Sequence, residues 1–410
     1  MSTIQITKSR RIAFNTAALL VLAAFLILLE FNRSRYGMAV SILQKGVILS
    51  IAAVSMNLLN GFTGLFSLGQ AGFMAIGAYV TAIVSIPVGS IDAVYYTSGV
   101  APWIKALKEG TAFLPQSMQI LLGLLLGGLL AAVFAALIGI PVLRLKSDYL
   151  AIATLGFSEI VRAIISSPQM DRITNGSYGL KNIPGFGGDG EGLLPAGSGA
   201  LLIPFIIAGL CIAFMILVLK SSYGRAFMAI REDGVAAEAM GINLLKHKGL
   251  AFVISSFFTA IAGGLLAMFM RSIEARTFQV ALTYDVLLIV VIGGLGSVTG
   301  SVISAFLVTA AKEWWLRFFD QPLMIGTFQV PLFRTGFRMV VFSLVLMAVV
   351  LFFRRGLMGT TEFSWAGLLS WPSRRRMKRQ RRQAKTAAIA AAKSAAAKRA
   401  ASGKEGDHHA

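Results

Sequence analysis

The sequence predicts an all-α integral membrane protein with about ten transmembrane helices, and three observations carry that expectation. The 410-residue chain is 56% hydrophobic and 14% charged, and its mean hydropathy of +0.75 is too high for a soluble chain of this length. Its apolar runs repeatedly reach the roughly 20 residues that a helix needs to cross a hydrocarbon core of about 30 Å. The runs are continuous rather than alternating, which selects helices over a barrel.

The first apolar run, Ile12 to Leu29, follows Lys8, Arg10 and Arg11 and lacks a small-residue cleavage site, so it reads as a retained span rather than a signal peptide. Spans are expected near 12–31, 42–60, 66–86, 118–141, 149–167, 200–220, 248–270, 281–295, 300–318 and 336–353. The chain then divides into an N-terminal segment (1–11), a transmembrane domain (12–353) and a basic low-complexity tail (354–410). An even number of spans puts both termini on one side, and both carry basic clusters, so both are expected in the cytoplasm. The insert 221–247, with Lys220, Arg225, Arg231, Lys246 and Lys248 in or beside it, falls on that side, as do Arg144 and Lys146. The outer loops 87–117 and 168–199 are longer and nearer to charge balance, while Arg33, Arg35 and Lys45 lie on the outer side against the rule.

The net charge of +20 is largely a property of the tail, which holds 14 of the 38 lysines and arginines beyond residue 353 with only three acids. Arg374, Arg375, Arg376, Lys378, Arg379, Arg381 and Arg382 crowd just past the last span, a pattern that touches anionic lipid headgroups rather than nucleic acid. Catalytic, metal and cofactor sites are not expected. Cys211 is the single cysteine, His247, His408 and His409 cannot form a metal cluster within the membrane, and no Gly-x-x-x-x-Gly-Lys-Ser/Thr cradle for ATP phosphates occurs. Gly185-Phe186-Gly187-Gly188-Asp189-Gly190 fits a dinucleotide pattern but follows no strand and opens no helix, so it is a loop. Asn175-Gly176-Ser177 matches a glycosylation acceptor, in a chain with nothing else to suggest a secretory pathway.

An ion-coupled carrier keeps ionisable groups inside its spans. The mid-span candidates reduce to Glu159 and Arg162, three residues apart on one helix face and able to neutralise each other, with Asp148 and Asp285 nearer to span ends. All four read as structural pairs or caps.

Two stretches interrupt the helical pattern in related ways and give the chain a weak two-half similarity. Gly61 to Gly72 separates the second and third spans, Gly293 to Ser301 the eighth and ninth, and both contain Gly-Leu-x-Ser. Interrupted helices at matching places in two halves point to a transport path, whereas glycines and serines alone also serve close helix packing. The insert is the other unusual segment. From Phe227 to Met240, apolar residues at Phe227, Ile230, Ala237 and Met240 recur at helical spacing while Arg231, Glu232, Asp233 and Glu238 fill the other side, and Gly241 ends the helix. Such a helix either docks into a cytoplasmic partner or lies on the headgroups.

The segments Met56 to Phe73, Leu143 to Arg162, Ile230-Arg231-Glu232-Asp233 through Gly241-Ile242-Asn243, and Gly293-Gly294-Leu295-Gly296-Ser297 together resemble the branched-chain amino-acid ABC importer permeases, LivM type, in the order expected from about residue 45 to 310. The resemblance implies an ABC-importer permease fold and an inner-membrane subunit. Its implied partners are a second, LivH-like permease, two cytoplasmic ATP-binding-cassette ATPases that bind the ATP, and a periplasmic substrate-binding protein. It favours docking for the insert, making Phe227, Ile230, Arg231, Glu232, Asp233, Glu238, Ala239 and Gly241 the ATPase-coupling candidates. Gly64, Ser67, Gly69, Gln70, Gly294, Gly296 and Ser297 become candidates for the path or its gate. Relatives of this architecture carry branched-chain or other neutral amino acids, urea or short amides. The chain departs from the family at Gln70, where histidine is common, and at Thr174 to Leu180, where Asn175 replaces the first glycine of a Thr-Gly-Gly signature.

Overall fold

Helices account for nearly all the regular structure of the computed structural model. It describes residues 8–33, 35–96, 99–145, 147–187 and 201–315, two-residue strands at Met324–Ile325 and Phe328–Gln329, scattered positions between 340 and 351, and 356–359 with Glu362. Most of the tenth expected span, the basic run beyond Arg374 and Gly188 to Gly190 lie outside the described residues. Ala24–Glu362 forms the main unit, and residues 8–23, the first turns of the first helix, are the described part of the other.

The elements run α1 (Lys8–Phe31), α2 (Gly37–Asn57, continued by a π-helical turn, Leu58–Phe62), α3 (Gln70–Ser85), α4 (Ile91–Val94), α5 (Pro102–Thr111), α6 (Gln116–Val142) and α7 (Ser147–Ile165). There follow α8 (Asp171–Thr174), α9 (Leu202–Lys220), α10 (Ser222–Glu232), α11 (Gly234–Ala239), α12 (Leu244–Met270), α13 (Val280–Gly293) and α14 (Val298–Ala310). Among the described residues, four helices are by themselves long and apolar enough to cross a membrane, and six spans result if each of two bent pairs counts as one. This count covers the described residues alone and leaves out the shorter apolar helices Thr16–Phe31 and Val280–Gly293 and most of the tenth expected span. Pro87 and Pro168 force the residue before each into extended backbone, and the chain turns by 101° and 61° there.

The core is a seam of small residues. A Cβ at Gly77 of α3 would overlap the Ala260 carbonyl of α12, one at Gly263 of α12 would overlap the Met74 carbonyl of α3, and one at Gly127 of α6 would stand 3.0 Å from the Gly77 carbonyl. Backbones approach this closely only where side chains are absent, which is how helices gain packing in lipid. Hydroxyls tie α2 to the same seam: Ser55 Oγ lies 2.7 Å from Thr259 Oγ1, and Ser255 donates to the Ser55 carbonyl at 2.7 Å. The mid-span charges are paired, Arg162 to Glu159 at 2.6 Å and Lys312 to Asp285 at 2.7 Å. Lys45, anomalous by the charge rule, pairs with Glu313 across α2 and the end of the α14 helix.

At one end of α3 the connecting segments build a closed cap. Ala101 N donates to the Arg172 carbonyl, Asn175 Nδ2 donates to Val94 O at 3.1 Å and Gly179 O at 2.7 Å, and Leu180 bridges to Ile273. Asn175 sits in the left-handed region at φ 56° and is buried, so in this chain the altered signature residue holds the loop from within. Ser177 and Tyr178 remain on its surface.

Lys108 of α5 is 2% exposed and donates to the Val84 carbonyl at 2.8 Å and to the Ile86 carbonyl, closing the end of α3. Burial lowers its ammonium from the ordinary lysine value to about 8. The neutral amine still carries two N–H groups for two carbonyls. Because the unfolded chain binds the proton up to about pH 10.5 and the folded chain only to about 8, wild type gains stability relative to Lys108→Met as pH rises between these values. Melting both proteins from pH 7 to 10 checks this; a difference in melting temperature that stays flat or shrinks contradicts it.

Candidate functional site

The end of α3 opposite that cap gathers three segments that are far apart in sequence. The first is the break after α2. The π-helical turn Leu58–Phe62 ends at Thr63, Gly64 takes φ 74°, and the chain has no regular structure to Gly69 before α3 begins at Gln70. Asn60 Oδ1 accepts from Ser67 N at 3.2 Å, Thr154 Oγ1 of α7 accepts from Leu68 N at 3.0 Å, and Thr283 Oγ1 of α13 accepts from Ala71 N at 3.0 Å. Ser67, Gly69 and Gln70 are buried while Gly64 is exposed. Gln70 Oε1 accepts from Thr259 Oγ1 at 2.5 Å, so this side chain faces the polar seam of the helix core.

The second segment is the break between α13 and α14. Gly294 at φ 113° and Gly296 at φ 88° hold backbone that side chains disfavour. Ser297 then caps α14, its Oγ accepting from Gly300 N at 3.1 Å. Both breaks therefore place the first glycine of Gly-Leu-x-Ser at positive φ. Both present an apolar tip, Phe66 and Leu295, each 43% exposed.

The two breaks touch, and a buried asparagine joins them. A Cβ at Gly61 would stand 2.6 Å from Gly296 N. Asn57, fully buried at the end of α2, donates from Nδ2 to Ser297 O at 2.9 Å and Ser301 Oγ at 2.7 Å, with Gly294 O at 3.3 Å, and its Oδ1 accepts from Gly296 N at 2.8 Å. Residues 357, 358 and 362 close the other side. Leu357 N donates to Ile292 O, Met358 N donates to Gly293 O, and the Glu362 carboxylate accepts from Val298 N at 2.7 Å and from Thr299 N at 3.1 Å. Asn57 and Glu362 escaped the sequence reading. A pair of asparagines, Asn57 and Asn60, at the end of an apolar run just before Gly61 is the signal for the first, whereas Glu362 is indistinguishable from the tail around it.

The third segment is the insert, and here the expected single helix from Phe227 to Met240 is corrected. Asp233 is not a face residue but the N-cap of a second helix, its Oδ1 accepting from Val235 N at 2.9 Å and Ala236 N at 3.1 Å. An Asp-Gly pair favours a cap over a helix interior, so α10 stops and α11 starts in a new direction. The apolar face breaks with it. Phe227, Ile230 and Ala237 are buried, but Met240 is 84% exposed beside Val235 at 80%. Glu232, Asp233, Glu238, Ala239 and Gly241 are exposed as well. Gly241 at φ 83° ends α11, its N–H reaching Glu238 O while Ile242 N reaches Ala237 O, the paired bonds of a Schellman termination.

Arg231, in the last turn of α10, connects the insert to both breaks. Its Nη1 donates to Gly61 O at 2.7 Å, and a Cβ at Gly296 would stand 2.9 Å from the same nitrogen. A Cβ at Gly64 would meet its Cγ at 3.2 Å. One guanidinium thus lies over the first break, the second break and the surface that carries Glu232 and Glu238.

The branched-chain amino acid transport system / permease component family matches residues 38–353. The chain is 32% identical over 314 residues to the high-affinity branched-chain amino acid transport system permease protein LivM of Escherichia coli (strain K12), covering 71% of this chain and 67% of that protein. It is 28% identical over 260 residues to a probable LivM permease of Methanocaldococcus jannaschii, 61% of this chain and 73% of that protein. With a probable LivH permease of the same archaeon it shares 24% identity over 211 residues, 50% of this chain and 59% of that protein. No solved structure matches it. The chain belongs to the permease-component family of branched-chain amino acid transport systems, as a multi-pass membrane protein.

Proposed function

We propose that this chain is one of two permease subunits of an ATP-driven importer in the inner membrane, carrying branched-chain or related small neutral amino acids. The substrate class rests on the names of its relatives, and the second subunit on the likeness of the chain to both LivM and LivH proteins. The observation that carries the coupling is Arg231, which joins a solvent-facing helical insert to two abutting Gly-Leu-x-Ser breaks. Two cytoplasmic ATPases bind the exposed face of α10 and α11, where Val235 and Met240 offer apolar contacts and Glu232 and Glu238 offer charge. Their closure moves the insert as a rigid body, and the breaks, joined through Asn57, shift together to open or close the path. The closed cap at the far end receives solute from a binding protein, and both termini lie in the cytoplasm.

Pairing of Glu159 with Arg162 and of Asp285 with Lys312 argues against ion coupling through those carboxylates. The test is gentle extraction from the native membrane, identification of co-purifying chains, and uptake of labelled leucine into proteoliposomes holding ATP. Two ATPases, a second permease and ATP-dependent uptake are expected. Leucine movement by this chain alone without ATP would overturn the reading.

A further inference from the structure

A groove of about 400 Å³ lies where the last turns of α6 meet the first turns of α12, beside the insert. It exists because side chains are missing: Ala136 and Gly139 on α6 and Gly249 on α12 leave room that Leu250 and its neighbours wall in. We propose that this groove binds an anionic phospholipid, with an acyl chain along the small-residue floor and the phosphate at Lys246. The site requires only that the chain lie in a membrane, so it stands apart from the importer reading.

Three observations converge on that occupant. First is depth. Both α6 and α12 have 27 residues and so measure about 40 Å at 1.5 Å per residue, longer than a hydrocarbon core of roughly 30 Å. The turns that line the groove are at the insert end of both helices, which places them at the hydrocarbon–headgroup boundary. Second is lining chemistry. Asn243 and Lys246 are the two polar residues among those that line it, and the Asn243 side chain is occupied in capping Lys246 N at 3.0 Å. The wall is therefore apolar with one cation at its mouth. Third is charge. The Lys246 side chain is exposed and forms no ion pair among the described residues, and exposed Arg144 follows the lining residue Leu143 in the chain. A net-negative headgroup complements these cations, whereas a zwitterionic one brings a cation of its own.

The experiment uses the full chain, extracted with its native partners and exchanged into nanodiscs of phosphatidylcholine with a minor fraction of phosphatidylglycerol. Lipid retained after delipidation is read by native mass spectrometry. Wild type is expected to keep one phosphatidylglycerol per chain. Lys246→Gln, a surface change that leaves the fold intact, is expected to lose the preference for phosphatidylglycerol by about fivefold, one headgroup-level charge. Gly249→Leu, whose Cβ meets only Leu143 Cδ1 at 3.8 Å, fills the groove and is expected to lose the retained lipid. Equal retention of the two lipids by wild type, or undiminished retention in both variants, would overturn the proposal. A photo-crosslinker at Ala136 that captures a partner protein and no lipid would overturn it as well.

Discussion

Replacing Arg231 with alanine is expected to reduce ATP-driven uptake more than tenfold while the protein inserts, assembles and melts close to wild type. The disparity follows from what the side chain touches. Its hydrogen bond to Gly61 O is charge-assisted but partly exposed, and such a bond contributes about 1–2 kcal/mol to stability. Gly61 is buried but Arg231 is exposed, so removing the side chain opens the Gly61 carbonyl to water that can replace the lost donor. Stability therefore changes little. Coupling depends on a different property, namely that a displacement of α10 is felt by both breaks at once, and no other side chain among the described contacts spans Gly61, Gly64 and Gly296. Without the guanidinium, the ATPases would cycle against an insert that no longer grips the breaks.

Arg231→Lys gives the finer reading. Lysine keeps the charge at a helix end but loses the planar fork that reaches Gly61 O while resting against Gly296, so partial recovery is expected. The measurement is uptake of labelled substrate beside ATP hydrolysis in the same proteoliposomes. Hydrolysis without uptake in Arg231→Ala is the expected outcome; uptake within twofold of wild type would remove Arg231 from the coupling path.

Much of this architecture is legible in the sequence because lipid imposes a coarse rule, and continuous apolar runs obey it. The helices, the two glycine breaks and the exposed insert all follow from hydropathy and from Gly-Leu-x-Ser. What escapes are contacts between distant segments. Gly61 and Gly296 touch although they are 235 positions apart in the sequence, and no local pattern reports that approach. Asn57 appears as one polar residue near a span end until its four partners are seen. Lys108, in a loop that reads as solvated and charge-balanced, is buried because the open carbonyls at the end of α3 demand donors. Asp233 was open to a better local reading, since Asp-Gly after a charged helical turn is itself a stop-and-restart signal; amphipathic spacing across it masked the cap.

Asn57→Leu is expected to be the most destabilising single change in the site, by roughly 3–5 kcal/mol. Leucine is close in size, so the cost comes from polarity rather than volume. It strands the Gly296 N–H and removes a donor from each of the Ser297 carbonyl, Ser301 Oγ and Gly294 O, all in a buried place. Each stranded group costs about 1–3 kcal/mol, and inside a membrane protein water is not at hand to take the place of the amide. The strained backbone at Gly294 and Gly296 then loses the side chain that fixes it, and the two breaks are free to separate. Ser55→Ala is the matched control. Ser55 is equally buried, two residues earlier on the same helix, but its hydroxyl meets Thr259 Oγ1 and its own helix at Ala52 O, so a loss of about 1 kcal/mol is expected. Thermal unfolding in detergent, followed by size-exclusion chromatography of the heated samples, separates the two. A melting temperature for Asn57→Leu as high as that for Ser55→Ala would mean that the breaks are held by helix packing, and that Asn57 only fills space between them.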